Sequence, residues 1–433
     1  MNKINLQYKY LPFSILVVAI FSVIISMQEL TGWPVTNPIF WFFAQIIILI
    51  LFYKSKRSFV DKNFEKVIFW IKMYLFWNIF SILRGLFIAE TYWDWKYLTV
   101  NSLGLLVPIV AYVGSKPQIL QFILRYFFVY GLPLFFLICF FINTDSYGFF
   151  LVPISFLALF FPILKTTTKW MILAMVIFVI FVDFTARSNV LKFGIPLILS
   201  LLYYFRVFLS ITLYEFIRKL LFILPLLFLY LAIYLNFNVF KMDEYIKGDY
   251  VEMRTNEKGK KEEDNLIADS RSFMYKEGFL TAQYYDSWWI GRSPARGVIS
   301  EQFGEDDMNK RGERVSNEMA IANIFNWTGI VGVILYFLVF YKATYLSINK
   351  SNNDFSKILG LYMAFRWTYA WVEDANYFSM TNFFIWFMLG LCYSPVFRNM
   401  DNRALKLWIE CIFKNRSKIT LKFTKYKIPS PNI

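Results

Sequence analysis

The chain has 433 residues, of which 58% are hydrophobic and 21% aromatic, and its 45 Lys and Arg outnumber 30 Asp and Glu to give a net charge of +15. A soluble globule needs far more polar surface than this, so the composition excludes one and predicts a polytopic membrane protein. Histidine is absent, which removes a Ser-His-Asp triad, a His base and any His-ligated metal site.

Apolar stretches of about 16 to 24 residues, long enough to cross the hydrocarbon layer, recur along the chain. They run over 11–27, 35–53, 67–83, 98–113, 119–142, 146–164, 170–184, 188–205, 220–240, 318–341, 357–372 and 377–395. The predicted fold is therefore an all-α polytopic protein of about twelve transmembrane helices. Helices 1–9 fall in 1–240, a large loop follows over 241–317, helices 10–12 occupy 318–395, and a basic tail covers 396–433. No A-x-A-like cleavage site follows the first span, so it reads as an uncleaved anchor.

Lys and Arg in the connections set the orientation. With the N-terminus in the cytoplasm, the inner segments hold 25 of them, against Arg84, Lys96 and Arg187 in the short outer loops. Both termini are then cytoplasmic and 241–317 lies outside. Much of the net charge is topology signal and contact with anionic lipid heads rather than nucleic-acid binding. Cys139 and Cys392 fall within spans and Cys411 in the tail, so none can staple the outer loop, and no metal-ligand spacing exists.

Among the outer residues, Arg84, Glu90, Asp94 and Lys96 cluster with Tyr92, Trp93 and Trp95, which reads either as an aromatic belt or as a sugar contact. Arg187, at the outer end of a span beside Asp183, is either a snorkelling side chain or an anion ligand. The loop begins with a charge-dense stretch to about Asn265 that cannot bury enough apolar surface to fold alone. From Ser270 to Ile290 the sequence predicts an interfacial helix, with Ser272, Lys276, Gln283 and Asp286 on a polar stripe and Trp288 and Trp289 on the aromatic side. GRSPARG at 291–297 then predicts a compact turn projecting Arg292 and Arg296, read as either a solvated loop or an anion nest.

The chain re-enters the membrane with Ser316 or Asn317 as a predicted N-cap and Glu318 in the first helical turn, either as an ordinary first-turn acid or as a functional carboxylate. Asn323 and Asn326 follow as candidates for bonds between helices. Arg366 lies inside a span, where its desolvation cost requires it to face the bundle or a wet cavity, with Glu373 and Asp374 beyond it. No internal repeat, P-loop, dinucleotide fingerprint or nucleophile elbow is present.

The segments TARSNVLKFG, SRSFMYKEGFLTAQYYDSWWIGRSPARG and RVSNEMAIANIFNWTGIVGVILYFLVFY together resemble the bacterial O-antigen polymerase and ligase superfamily. The family's usual His is replaced by Ser316 before Asn317, a departure that favours a Wzy-type polymerase over an O-antigen ligase. The resemblance implies a GT-C-like membrane glycosyltransferase acting on the outer side of the bacterial cytoplasmic membrane. Its substrates would be undecaprenyl-pyrophosphate-linked glycans, its surroundings membrane lipids, and its protein partner a chain-length regulator, with no cofactor.

An acceptor hydroxyl would attack the anomeric carbon and expel the lipid pyrophosphate, so cations placed where that charge develops would suffice without a metal. On this reading Glu318, Arg271 and Arg187 are catalytic, with Glu301 and Asp286 as further candidate bases. Arg292, Arg296, Arg314, Asn317, Trp288, Trp289 and Arg366 bind substrate. A flippase for lipid-linked oligosaccharide is the alternative from another class; its charges would line a cavity open to both sides.

Overall fold

A computed structural model describes residues 3–24, 37–59, 67–142, 144–182, 187–234, 251–255, 261–265, 271–300 and 312–413. Five helical stretches among them are long and apolar enough to cross a membrane: Pro38–Lys56, Phe69–Ile88, Tyr92–Gly114, Pro117–Phe141 and Ala320–Asn349. The protein is a helical, membrane-embedded bundle with very little sheet.

The helices that position the site are α1 (Lys3–Ile24), α2 (Pro38–Phe59), α3 (Phe69–Ile88), α4 (Tyr92–Leu106), α5 (Pro117–Tyr126), α6 (Val152–Ala158), α7 (Thr166–Val182), α8 (Arg187–Leu201) and α9 (Ile211–Tyr234). In the second half come α10 (Ser272–Tyr284), α11 (Ala320–Asn349), α12 (Asp354–Tyr369), α13 (Met380–Tyr393) and α14 (Asn402–Ile412). The 146–164 stretch is not one continuous helix. Pro153 and Pro162 cannot donate a backbone hydrogen bond, and the chain breaks into Tyr147–Phe150, α6 and a turn at Phe161–Ile163, packed into the core with Phe150, Phe156 and Phe160 buried.

The core is aromatic and aliphatic, with α11 packed along α12 and α3, and α13 against α11 and the extension of α4. Two buried arginines pin the bundle away from the site. Arg218, fully buried in α9, is held by both oxygens of Glu215 at 2.9 and 2.8 Å and lies 4.4 Å over the Tyr341 ring. Arg398, at the start of the basic tail, is also buried and donates to Lys350 O at 2.6 Å. The described part of the tail is folded onto the bundle as α14. Its Trp408 donates to Pro117 O at 2.9 Å and its Cys411 is buried.

Strand β1 (Val251–Thr255) pairs antiparallel with β2 (Lys261–Asn265), where the sequence predicts no structure. The register sets Val251 opposite Asn265 and Thr255 opposite Lys261. A shorter ribbon of β3 (Val298–Ile299) and β4 (Glu313–Arg314) closes the turn after α10.

Helix α11 is broken at Gly329, whose φ of 70° is open to glycine and strained for other residues. The chain from Trp288 to Ser293 lies in the break and pairs with both ends of it. Asn326 O and Trp327 O accept from Arg292 N at 2.6 Å and Ser293 N at 3.2 Å, while Ile330 N and Val331 N donate to Trp288 O at 2.8 Å and Trp289 O at 3.3 Å. Trp77 of α3 donates to Thr328 O at 2.8 Å. Contact is so close that a Cβ on Gly329 would sit 2.2 Å from Trp289 O, and one on Gly291 2.5 Å from Thr328 N. Thus GRSPARG is a backbone clasp on a split membrane helix, not a turn exposed to solvent.

Candidate functional site

Polar side chains converge where α8 and α11 begin, α12 ends, and residues 370–379 join α12 to α13. Lys192, one turn and a half into α8, and Arg366, in the last turn of α12, are both buried and both meet Glu373. Arg366 Nη2 is 3.3 Å from Glu373 Oε2, and Lys192 Nζ forms an ion pair with Glu373 Oε1 while its ammonium lies 4.4 Å over the Phe149 ring. Two buried cations thus share one carboxylate in a medium that screens charge little.

Asp374, in the connection beyond the spans, continues the cluster. It accepts from Asn323 Nδ2 at 2.9 Å and from Asn376 N at 2.9 Å. Asn323 in turn accepts from Asn317 N at 2.6 Å and donates to Asn317 O at 2.8 Å. Asn317 Oδ1 accepts from Arg314 Nη2 at 2.6 Å, and Arg314 Nη1 stands 3.3 Å from Glu277 of α10. Burial lowers the Arg314 guanidinium below its usual pKa, opposed by Glu277 and Glu318. This relay ties α10 and the outer loop to α11 and to the 370–379 connection.

At its rim, Arg271 donates to Val372 O at 3.0 Å and stands 3.9 Å from Glu318. Their side chains are 34% and 60% exposed, which makes this the open pair above a closed network. Tyr275, one turn along α10, fastens the same edge by donating to Trp371 O at 2.7 Å, and its burial holds the phenol well above its usual pKa.

Helix α11 starts at Ala320, with Met319 at the N-cap and no side-chain cap bond. Asn317 is therefore not the cap and Glu318 precedes the first turn. The leading amides instead donate to the 370–379 segment and its approach, Ala320 N to Glu373 O at 3.0 Å and Ile321 N to Ala370 O at 3.0 Å. Carbonyls brought from another part of the chain replace the local cap that the sequence pattern predicts.

Arg292 and Arg296 do not project outward. Arg292 donates to Gly297 O at 2.6 Å and Glu313 Oε1 at 2.7 Å, and its guanidinium lies 3.7 Å from the Tyr285 ring centre. Arg296 donates to Ile88 O at 3.1 Å and stands 3.6 Å from Asp94 and 3.7 Å from Glu90. Since neighbours on a strand face opposite sides, Glu313 serves Arg292 while Arg314 serves Glu277. Trp288 is packed on Phe279 and Phe325, whereas Trp289 is 67% exposed. The helix itself ends at Tyr284, before both tryptophans. Arg187 opens α8, but its side chain, like Asp183 and Glu301, lies outside the described residues.

Lys192, Glu277 and Glu313 are absent from the sequence-derived set. A lysine in the apolar run NVLKFGIPL is itself a signal, because an ionisable residue inside a span requires a partner.

The surrounding protein pushes the Asp374 carboxyl up to about 7, chiefly by burial and further by Glu373, against the bonds from Asn376 and Asn323. A carboxyl that keeps its proton in the folded protein while ionising near ~3.9 in the unfolded chain makes folding less favourable as pH rises between these values. Thermal unfolding midpoints in detergent should therefore fall from about pH 4 to about pH 7 by an amount that Asp374→Asn removes; an unchanged slope in the variant would show that Asp374 titrates normally.

Comparison with family models, with curated proteins and with solved structures finds no match to this chain.

Proposed function

We propose that the protein is a membrane glycosyltransferase that polymerises lipid-linked oligosaccharide repeat units on the outer side of a bacterial cytoplasmic membrane, in a twelve-span, GT-C-like frame. The reading is carried by the Arg271–Glu318 pair, a half-buried guanidinium and an exposed carboxylate 3.9 Å apart at the rim of a buried charged network. Glu318 accepts the proton of the acceptor hydroxyl as that oxygen attacks the anomeric carbon. The bond to the lipid pyrophosphate breaks, and Arg271 meets the negative charge that appears on the leaving group. Lys192 and Arg366 sit behind this pair and bias the local potential toward anions, with Glu373 fixing their places.

Unwound membrane helices build ion sites in many transporters, which would make the break in α11 a mark of transport. In this chain, however, residues 288–293 occupy both half-helix ends with backbone bonds. The polymerase reading fits that closed break better than a flippase does.

Purified protein incubated with undecaprenyl-pyrophosphate-linked repeat units should yield a ladder of lengthened glycans; movement of the lipid across vesicles with no ladder would support a flippase instead. Orientation has its own test. In a chain with Cys139, Cys392 and Cys411 replaced by Ser, Gln283→Cys in the exposed face of α10 should react with an impermeant maleimide from the outer side of the membrane. Reaction from the cytoplasmic side alone would reverse the topology.

A further inference from the structure

A second recess, separate from the Arg271–Glu318 rim, opens between the outer end of α3 and the chain following α10. It has a volume of about 400 Å³ and is lined by Arg84, Tyr285, Asp286, Ser287, Arg292 and Glu313 among others. That volume lies at the lower end of the range for small-molecule pockets. Its three arginines, Arg84, Arg292 and Arg296, make it look like an anion site, but their bonding says otherwise.

Arg84 donates to Ile290 O at 2.6 Å and Gly291 O at 2.9 Å. Arg292 is held by Gly297 O and Glu313, and Arg296 by Ile88 O with Asp94 and Glu90 beside it. The three positive charges are balanced by Asp286 and Glu313 in the lining and by Asp94 and Glu90 behind it. No excess cation is left to repay the desolvation of a phosphate. Such guanidiniums build walls.

What faces the recess besides them is an aromatic ring, an exposed carboxylate and a hydroxyl. Tyr285 is 45% exposed and already carries the Arg292 guanidinium against its ring, which fixes the ring's orientation. Asp286 is exposed, with a φ of 48°, and Ser293, fully buried, has a φ of 82°. These are the two non-glycine residues with positive φ among the described residues, and both lie on the chain that forms this wall. Backbone held in such conformations is stabilised by its surroundings, here by the clasp on α11, and it fixes the Asp286 carboxylate at the rim.

We infer that this recess binds a neutral polyhydroxyl group, a sugar residue, with the C–H face of the ring on Tyr285 and hydroxyls donating to Asp286. A sugar presents both surfaces at once, an apolar face for an aromatic ring and several donors for a carboxylate. The choice of a sugar rests in part on the glycosyltransferase reading, whereas the exclusion of an anion rests on the bonding alone.

Saturation-transfer NMR on the full-length protein in detergent tests it, using free glucose, galactose, mannose, rhamnose, N-acetylglucosamine and N-acetylgalactosamine with inorganic pyrophosphate as competitor. At least one sugar should receive transfer that pyrophosphate does not displace, and its affinity should fall at least tenfold in Asp286→Gly. Glycine is at ease at that φ, so this variant removes the carboxylate while keeping the backbone; Tyr285→Leu, checked for an unchanged melting temperature, should weaken binding equally. Absence of transfer to every sugar, transfer unchanged in both variants, or displacement by pyrophosphate would overturn the assignment. Because free sugars are read without lipid-linked substrate, failure of the polymerisation assay would leave this result standing.

Discussion

Arg271→Lys should lose most glycan extension while the protein remains folded and inserted. A guanidinium can hold two phosphate oxygens in a fixed fork and still donate Nε to Val372 O at 3.0 Å; an ammonium is a point charge that cannot do both. Loss of one charge-assisted contact costs roughly 1.5 to 3 kcal/mol, about ten- to a hundred-fold in rate. Glu318→Gln, which keeps the size of the side chain and removes its basic oxygen, should fall by a similar factor. Arg403→Lys, exposed on α14, is the control. Arg292→Lys should behave differently, lowering the yield of folded protein, because Arg292 joins Gly297, Glu313 and Tyr285. Full extension by Arg271→Lys would place the pyrophosphate contact elsewhere.

Glu373→Leu should produce the largest loss of stability. It leaves Lys192 and Arg366 buried without their shared carboxylate, and breaking one side of a buried ion pair costs about 3 to 5 kcal/mol. Removing all three charges together in Lys192→Met, Arg366→Leu, Glu373→Leu should restore much of the melting temperature, since a packed apolar cluster can replace buried ions without net loss. Extension activity in that restored protein separates two roles: absent activity assigns the cluster to function, whereas wild-type activity would make it a structural device only.

The sequence discloses the membrane bundle because the bilayer imposes length and polarity on every crossing segment. It discloses Arg366 for the same reason, since a buried cation must find a partner, and Glu373 stands seven residues away. It misreads Arg292 and Arg296. Their acceptors, Glu313, Ile88 O, Glu90 and Asp94, come from distant parts of the chain, and only the folded arrangement shows that both guanidiniums turn inward. The α11 start is missed likewise, because Glu373 O and Ala370 O, far along the chain, satisfy amides for which a local cap is the usual partner. The break at Gly329 has one visible sign, a pair of glycines in TGIVG, and nothing nearby reveals that residues 288–293 would fill it.

The split in α11 also imposes an order on biosynthesis. Residues 288–293 leave the ribosome before the helix ends they pair with, so Trp288 O, Trp289 O and the amides of Arg292 and Ser293 must await residues 326–331. The wall formed by Tyr285 and Asp286 and the rim formed by Arg271 and Glu318 therefore mature only after this late hydrophobic segment has been delivered to the bilayer. A chain released at residue 319 would carry every residue of the outer loop without the partners at 326–331 that its 288–293 segment pairs with. Both walls thus reach their final geometry only when membrane insertion of residues 326–331 is complete.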